Sequence, residues 1–213
     1  MRLGRLRTLA LPCVLLGVLV TLAVSTSVGQ AAPTPACTRT ITGTVRGAII
    51  VRRGQTVCIV NARVVGSVLV LPGGGLSVTN STVVGSIFTN GATFVTICGP
   101  STSPYAPAVR TAFGSVSIVG TTGRVTIGGA PGSGCAPNQI GGALILRNNR
   151  GGTTAFGNTV GGSTSATSNL NGLLIGANSI NGSLSCHFNV PPPTNGGVAN
   201  NVVGAKTGQC AGL

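Results

Sequence analysis

The hydrophobic pattern is clearest between Val45 and Ile97. The stretch Val45-Arg46-Gly47-Ala48-Ile49-Ile50-Val51 returns as Val64-Val65-Gly66-Ser67-Val68-Leu69-Val70, and again as Val83-Val84-Gly85-Ser86-Ile87-Phe88-Thr89. The anchoring glycines 47, 66 and 85 stand 19 residues apart. The anchor recurs at Gly114, Gly142, Gly162, Gly182 and Gly204, with steps of 29, 28, 20, 20 and 22. Apolar or small residues dominate the positions two before, two after and four after it. Alternation at period two predicts a strand with one buried face. The opposite register would bury Arg52 and Arg147, and the chain offers them no acidic partner.

A second apolar pair follows each anchor by about half a repeat, as in Val57/Ile59, Leu76/Val78, Val95/Ile97, Val125/Ile127 and Leu173/Ile175. Gly-rich turns such as Pro72-Gly73-Gly74-Gly75 separate the two strands. An asparagine precedes many anchors: Asn61 and Asn80 by five residues, Asn138, Asn158, Asn178 and Asn200 by four. Asparagine tolerates the left-handed backbone of a tight corner, and stacked side-chain amides bond one another. A unit of 19–20 residues that cannot bury its own apolar face must stack on its neighbours. Strand-turn-strand units without intervening helix predict an all-β fold, a right-handed parallel β-helix of about eight coils, roughly 38 Å long. Loop insertions are expected near 99–110, 128–138 and 189–197. The first carries Tyr105 among prolines, and the last carries Pro191-Pro192-Pro193.

The N-terminus adds a compartment. Arg2, Arg5 and Arg7 precede an apolar run from Leu9 to Val24, and Gly29-Gln30-Ala31 fits a small-x-small cleavage site. Residues 1–31 therefore read as a secretory signal peptide, leaving 32–213 as one β-helix domain with no membrane anchor after cleavage. Six cysteines remain: Cys37, Cys58, Cys98, Cys135, Cys186 and Cys210. An even count in an exported chain predicts three disulfides. Sequence does not choose among the possible pairings; pairing of neighbours is favoured because each pair lies one to two repeats apart. No C-x-x-C spacing and a single histidine, His187, speak against zinc.

Charge narrows the chemistry further. The chain has 13 Lys+Arg and no Asp or Glu. That composition removes the carboxylate pair of glycoside hydrolysis and the carboxylate cage of calcium. Trp is absent and Tyr occurs once, so stacking platforms for sugars are scarce. No cofactor or metal is expected. A Cys186–His187 nucleophile pair is disfavoured, because neighbours on a strand point to opposite faces. Arg39, Arg46, Arg52, Arg53 and Arg63 fall in the first coils, and four of them (Arg46, Arg52, Arg53, Arg63) are candidate anion contacts. The outward register of the first strand stacks Ile50, Leu69 and Phe88 over small residues at the position after the anchor. Such a row calls for a cover, either the Tyr105 loop or a second copy of the chain.

The signal peptide, the N-x-V-x-G coil and the ending Lys206-Thr207-Gly208-Gln209-Cys210-Ala211-Gly212-Leu213 resemble a group of secreted repeat proteins of actinobacteria. More distantly, the coil is similar to the pectate-lyase-like β-helix superfamily, whose calcium-binding acidic residues have no counterpart here. The resemblance implies the fold and no activity. The expected function is a secreted, non-catalytic structural or surface-interaction protein, extracellular or associated with the cell wall. Its expected partner is an anionic cell-wall polymer or extracellular DNA, with self-association as a further expectation. The alternative is a carbohydrate-active β-helix, binding or cleaving polysaccharide without carboxylate chemistry.

Overall fold

The computed structural model describes residues 36–99, 114–129 and 133–213. The expected signal peptide and the Tyr105 insertion lie outside the described residues. The described residues hold 20 strands and no helix, and every ladder between named strands is parallel. The strands stack as a β-solenoid of about eight turns, a parallel β-helix.

Each coil has three sides. A front sheet stacks Ile49–Val51, Val68–Val70, Ile87–Asn90, Val116–Val119, Leu144–Arg147, Thr164–Thr167, Leu184–His187 and Lys206–Gly208. A back sheet stacks Arg39–Arg46, Thr56–Val65, Gly75–Thr79, Phe94–Cys98, Val125–Ile127, Thr153–Phe156 and Leu173–Gly176. The third side is a short sheet of two-residue strands, Gln139–Ile140, Thr159–Val160, Ser179–Ile180 and Asn201–Val202. In the first coils this side is continuous with the back strands Arg39–Arg46 and Thr56–Val65, the latter also pairing with Thr82–Val83. The residues before and after the anchor therefore do not share one strand, contrary to the pattern's simplest reading. The chain turns at the anchor, and the apolar alternation survives because both sides face the same core.

The anchor is glycine because successive coils nearly touch there. A Cβ on Gly66 would sit 2.3 Å from the Gly47 carbonyl oxygen, and one on Gly182 2.4 Å from Ser163 Oγ. The small residue after the anchor is also more than a flat floor. The Ser86 N–H donates to Ser67 Oγ at 3.2 Å, Ser115 N–H to Ser86 Oγ at 3.0 Å, and Ala143 N–H to Ser115 Oγ at 3.0 Å. Serine thus accepts a backbone hydrogen bond from the next coil at that corner.

One apolar core runs through the stack. Ile49, Val68, Ile87, Val116, Leu144 and Leu184 from the front are buried against Val57, Leu76, Val95, Val125 and Leu173 from the back. At the back-to-short corner, Asn138, Asn158, Asn178 and Asn200 form a buried ladder. Each of the first three donates its amide to the Oδ1 of the next, at 2.8, 3.0 and 2.9 Å. The other amide hydrogen reaches a backbone carbonyl of an earlier coil, as from Asn158 to Ile127 at 2.8 Å. Asn61 and Asn80 behave differently: both are exposed, with φ of 49° and 46°, so the residue serves the left-handed corner, and the one amide bond between them, Asn80 Nδ2 to Asn61 Oδ1, lies at the surface. In these coils the buried corner group is Ser81, whose Oγ accepts the Ala62 N–H at 3.1 Å and donates to the Thr79 carbonyl at 2.7 Å.

The cysteines pair as neighbours: Cys37–Cys58, Cys98–Cys135 and Cys186–Cys210, with Cα separations of 5.7, 4.8 and 5.2 Å. The first and last bridge the first and last described coils to their neighbours. The middle one ties the back strand Phe94–Cys98 to the second insertion, where Gly99 N–H also donates to the Ala136 carbonyl at 3.0 Å.

Candidate functional site

The turns joining front strands to back strands form one long corner of the solenoid. Inside it runs a second amide ladder: Asn149 donates to Asn169, Asn169 to Asn189, and Asn189 to Gln209 Oε1, at 2.9, 2.9 and 3.0 Å. Asn149, Asn169 and Asn189 are each about 1% exposed or less. Their Nδ2 groups also reach the Ile118, Leu146 and Ala166 carbonyls. This ladder fixes the backbone of the later corner turns, from Thr121 to Gln209, so whatever projects outward from those turns is held in place.

Arginines project outward. Arg52 and Arg53 lie on this corner in the first coil. Arg147 and Arg150 flank the buried Asn149, and Arg124 immediately precedes the back strand Val125–Ile127. The Arg150 backbone is held on both sides, its N–H donating to the Thr121 carbonyl at 2.8 Å and its carbonyl accepting from Asn171 Nδ2 at 2.6 Å. All eight arginines among the described residues are exposed, and no carboxylate side chain exists in the chain to neutralise them.

The four arginines singled out by sequence do not form one patch. Arg46 and Arg63 lie on the short side: Arg46 pairs with Val65, and Arg63 with Thr44. Arg52 and Arg53 sit beyond the front strand, on the far corner. The same corner also carries Arg124, Arg147 and Arg150, three to four coils further along the stack, which sequence reasoning left out. A signal was present, because Arg52 and Arg147 occupy the same offset, five residues after their anchors.

Beside Arg124 the corner opens into a groove of about 390 Å³. Its floor is Gly151, Gly152 and Gly172, and its walls include Thr154, Asn171, Leu174, Pro191 and Pro192. The groove crosses successive rungs of the back sheet, since Val125 pairs with Thr153, Thr153 with Leu173, and Leu174 bridges to Thr194. The proline-rich loop is thus an irregular further rung that closes one end. Glycine is required in the floor, because a Cβ on Gly151 would meet the Gly123 carbonyl carbon at 2.1 Å.

The front face carries the expected apolar row. Ile50, Leu69 and Phe88 pair in register and are 44, 38 and 45% exposed. Leu71 widens the row at its edge, and in the next coil it gives way to Ser117. Cys186 is fully buried and oxidised to Cys210, whereas His187 points outward with its ring 6.2 Å from that of Phe188. The two side chains therefore do not form a nucleophile pair. No group of three potential metal-ligating residues occurs among the described residues.

Compared with protein-family models, with curated proteins and with solved structures, the chain matches none.

Proposed function

We propose that the chain is a secreted, non-catalytic structural protein that works by surface contact, holding an anionic polymer of the cell wall or extracellular space. The observation that carries this reading is the set of eight exposed arginines on a hydrogen-bonded scaffold, in a chain with no side-chain carboxylate. Exposed cations without internal partners keep their field for an external anion. Export is supported by the basic-then-apolar N-terminus and by three disulfides, which persist in oxidising compartments. The buried side-chain amides of the two ladders are engaged in holding coil to coil, which is the work of a scaffold.

The test is sedimentation of the purified mature protein with isolated cell wall or with DNA, at rising salt. Binding through several phosphate contacts falls steeply with salt, with a log-log slope of about −0.9 per contact on duplex DNA. Absence of binding at low salt, or binding indifferent to salt, removes the reading.

A further inference from the structure

Resting on that reading, we propose that the groove beside Arg124 is the seat of the polymer, and that its ligand is a single strand of a phosphodiester-linked polymer recognised by its backbone. Three features lead there. First, the groove's lining runs from Arg124 across three further rungs, about 14 Å at the usual strand spacing. A polymer strand lying along the solenoid axis spans that length. Second, one arginine, Arg124, lines the groove at its end, and another, Arg150, stands next in sequence to the lining residue Gly151 in the adjacent coil. The guanidinium fork holds two oxygens of an anionic group at once, phosphate among them, and the choice of phosphate over a carboxylate sugar rests on the next feature. Third, the lining lacks any aromatic side chain. A base or sugar ring finds no stacking platform there, so recognition falls to phosphate charge, to the Thr154 hydroxyl and to the linker packing on Leu174 and Pro192. The bare glycine floor lets a strand approach the protein backbone closely.

The experiment measures binding of the mature protein to two oligomers of equal length, oligo-dT and a base-free propanediol phosphodiester, with polygalacturonate as a carboxylate competitor. The base-free oligomer is expected to bind as tightly as oligo-dT, and polygalacturonate to compete poorly. Arg124→Gln with Arg150→Gln is expected to weaken binding about tenfold or more. Arg46→Gln with Arg63→Gln removes the same charge from the short side and is expected to change it by less than about threefold. Thr154→Tyr plugs the groove without altering charge and is expected to match the first variant. All these positions are outward-facing, and circular dichroism checks that each variant keeps its fold. Equal losses in the two arginine pairs, or unchanged binding in Thr154→Tyr, overturn the groove assignment while leaving anion binding standing. Tight binding of oligo-dT but not of the base-free oligomer, or equal competition by polygalacturonate, overturns the ligand class. A wild-type protein that binds no anionic polymer overturns the functional reading itself.

Discussion

The first three coils and the coils after Gly142 share one backbone path but are stacked by different chemistry. In the first three, large aliphatic side chains such as Leu76, Ile87 and Ile97 fill the core, and the corner asparagines Asn61 and Asn80 are exposed, bonded to each other at the surface. In the later coils two ladders of buried amides run along the corners. The coil from Thr153 to Ala166 places Thr153, Ala155, Thr164 and Ala166 at inward positions. Apolar stacking tolerates small displacements, because it is non-directional. An amide ladder does not, because each rung supplies the partners of the rung before it. The later half of the solenoid is therefore the more strongly registered half, and it carries the groove.

That difference can be broken. The largest effect is expected for Asn169→Ala in the middle of its ladder. The change leaves the Asn149 N–H and Nδ2 without their acceptor, and leaves the Leu146 carbonyl without its donor. Buried groups left unpaired cost about 1–3 kcal/mol each, so a loss of about 4 kcal/mol is expected in equilibrium unfolding. Leu76→Ala removes apolar volume from the early core and is expected to cost about 3 kcal/mol. Because a solenoid's stability is a sum over coils and their interfaces, amide exchange should locate each loss: Asn169→Ala opening the late coils, Leu76→Ala the early ones. Asn61→Ala is expected to cost only about 1–2 kcal/mol, the strain of a left-handed alanine and the loss of one exposed bond from Asn80. If Asn61→Ala costs as much as Asn169→Ala, the distinction between the two halves fails.

The smallest effect has the opposite sign. Thr89 and Thr164 have buried hydroxyls with no hydrogen-bond partner among the described residues. Valine of the same shape is expected to raise stability by about 1 kcal/mol at either site, read as an upward shift in melting temperature. A drop at Thr164 alone would mean that its hydroxyl has a partner, and would sharpen the contrast between the halves.

The period, the parallel stacking and the inward rows were legible in the sequence because alternation of side chains survives any turn that keeps both sides on one core. For the same reason the third side was hidden. Two-residue strands such as Thr159–Val160 read as the start of the following strand, and nothing in hydrophobicity marks the bend at Gly162. The second amide ladder was legible in principle. Asn149, Asn169, Asn189 and Gln209 recur at intervals of 20, but they sit among loop-like residues where asparagine is common. The serine row passed for a floor of small side chains, because its acceptor role exists only between coils. The arginine corner is scattered in sequence from 52 to 150. It becomes one feature only when the offsets are counted from each anchor across two insertions.

One consequence of the ladders concerns acid. Proteins unfold at low pH mostly because carboxylates paired in the native state take up protons. Here the polar contacts that hold coil to coil come from amides, hydroxyls and backbone groups, which neither gain nor lose protons in that range. With no Asp or Glu in the chain, acid also finds no side-chain carboxylate to neutralise, so self-repulsion does not grow by that route. The solenoid is thereby built to keep its shape in acidic surroundings, with a melting temperature at pH 3 expected within about 3 °C of that at neutral pH, the shift of roughly 1 kcal/mol.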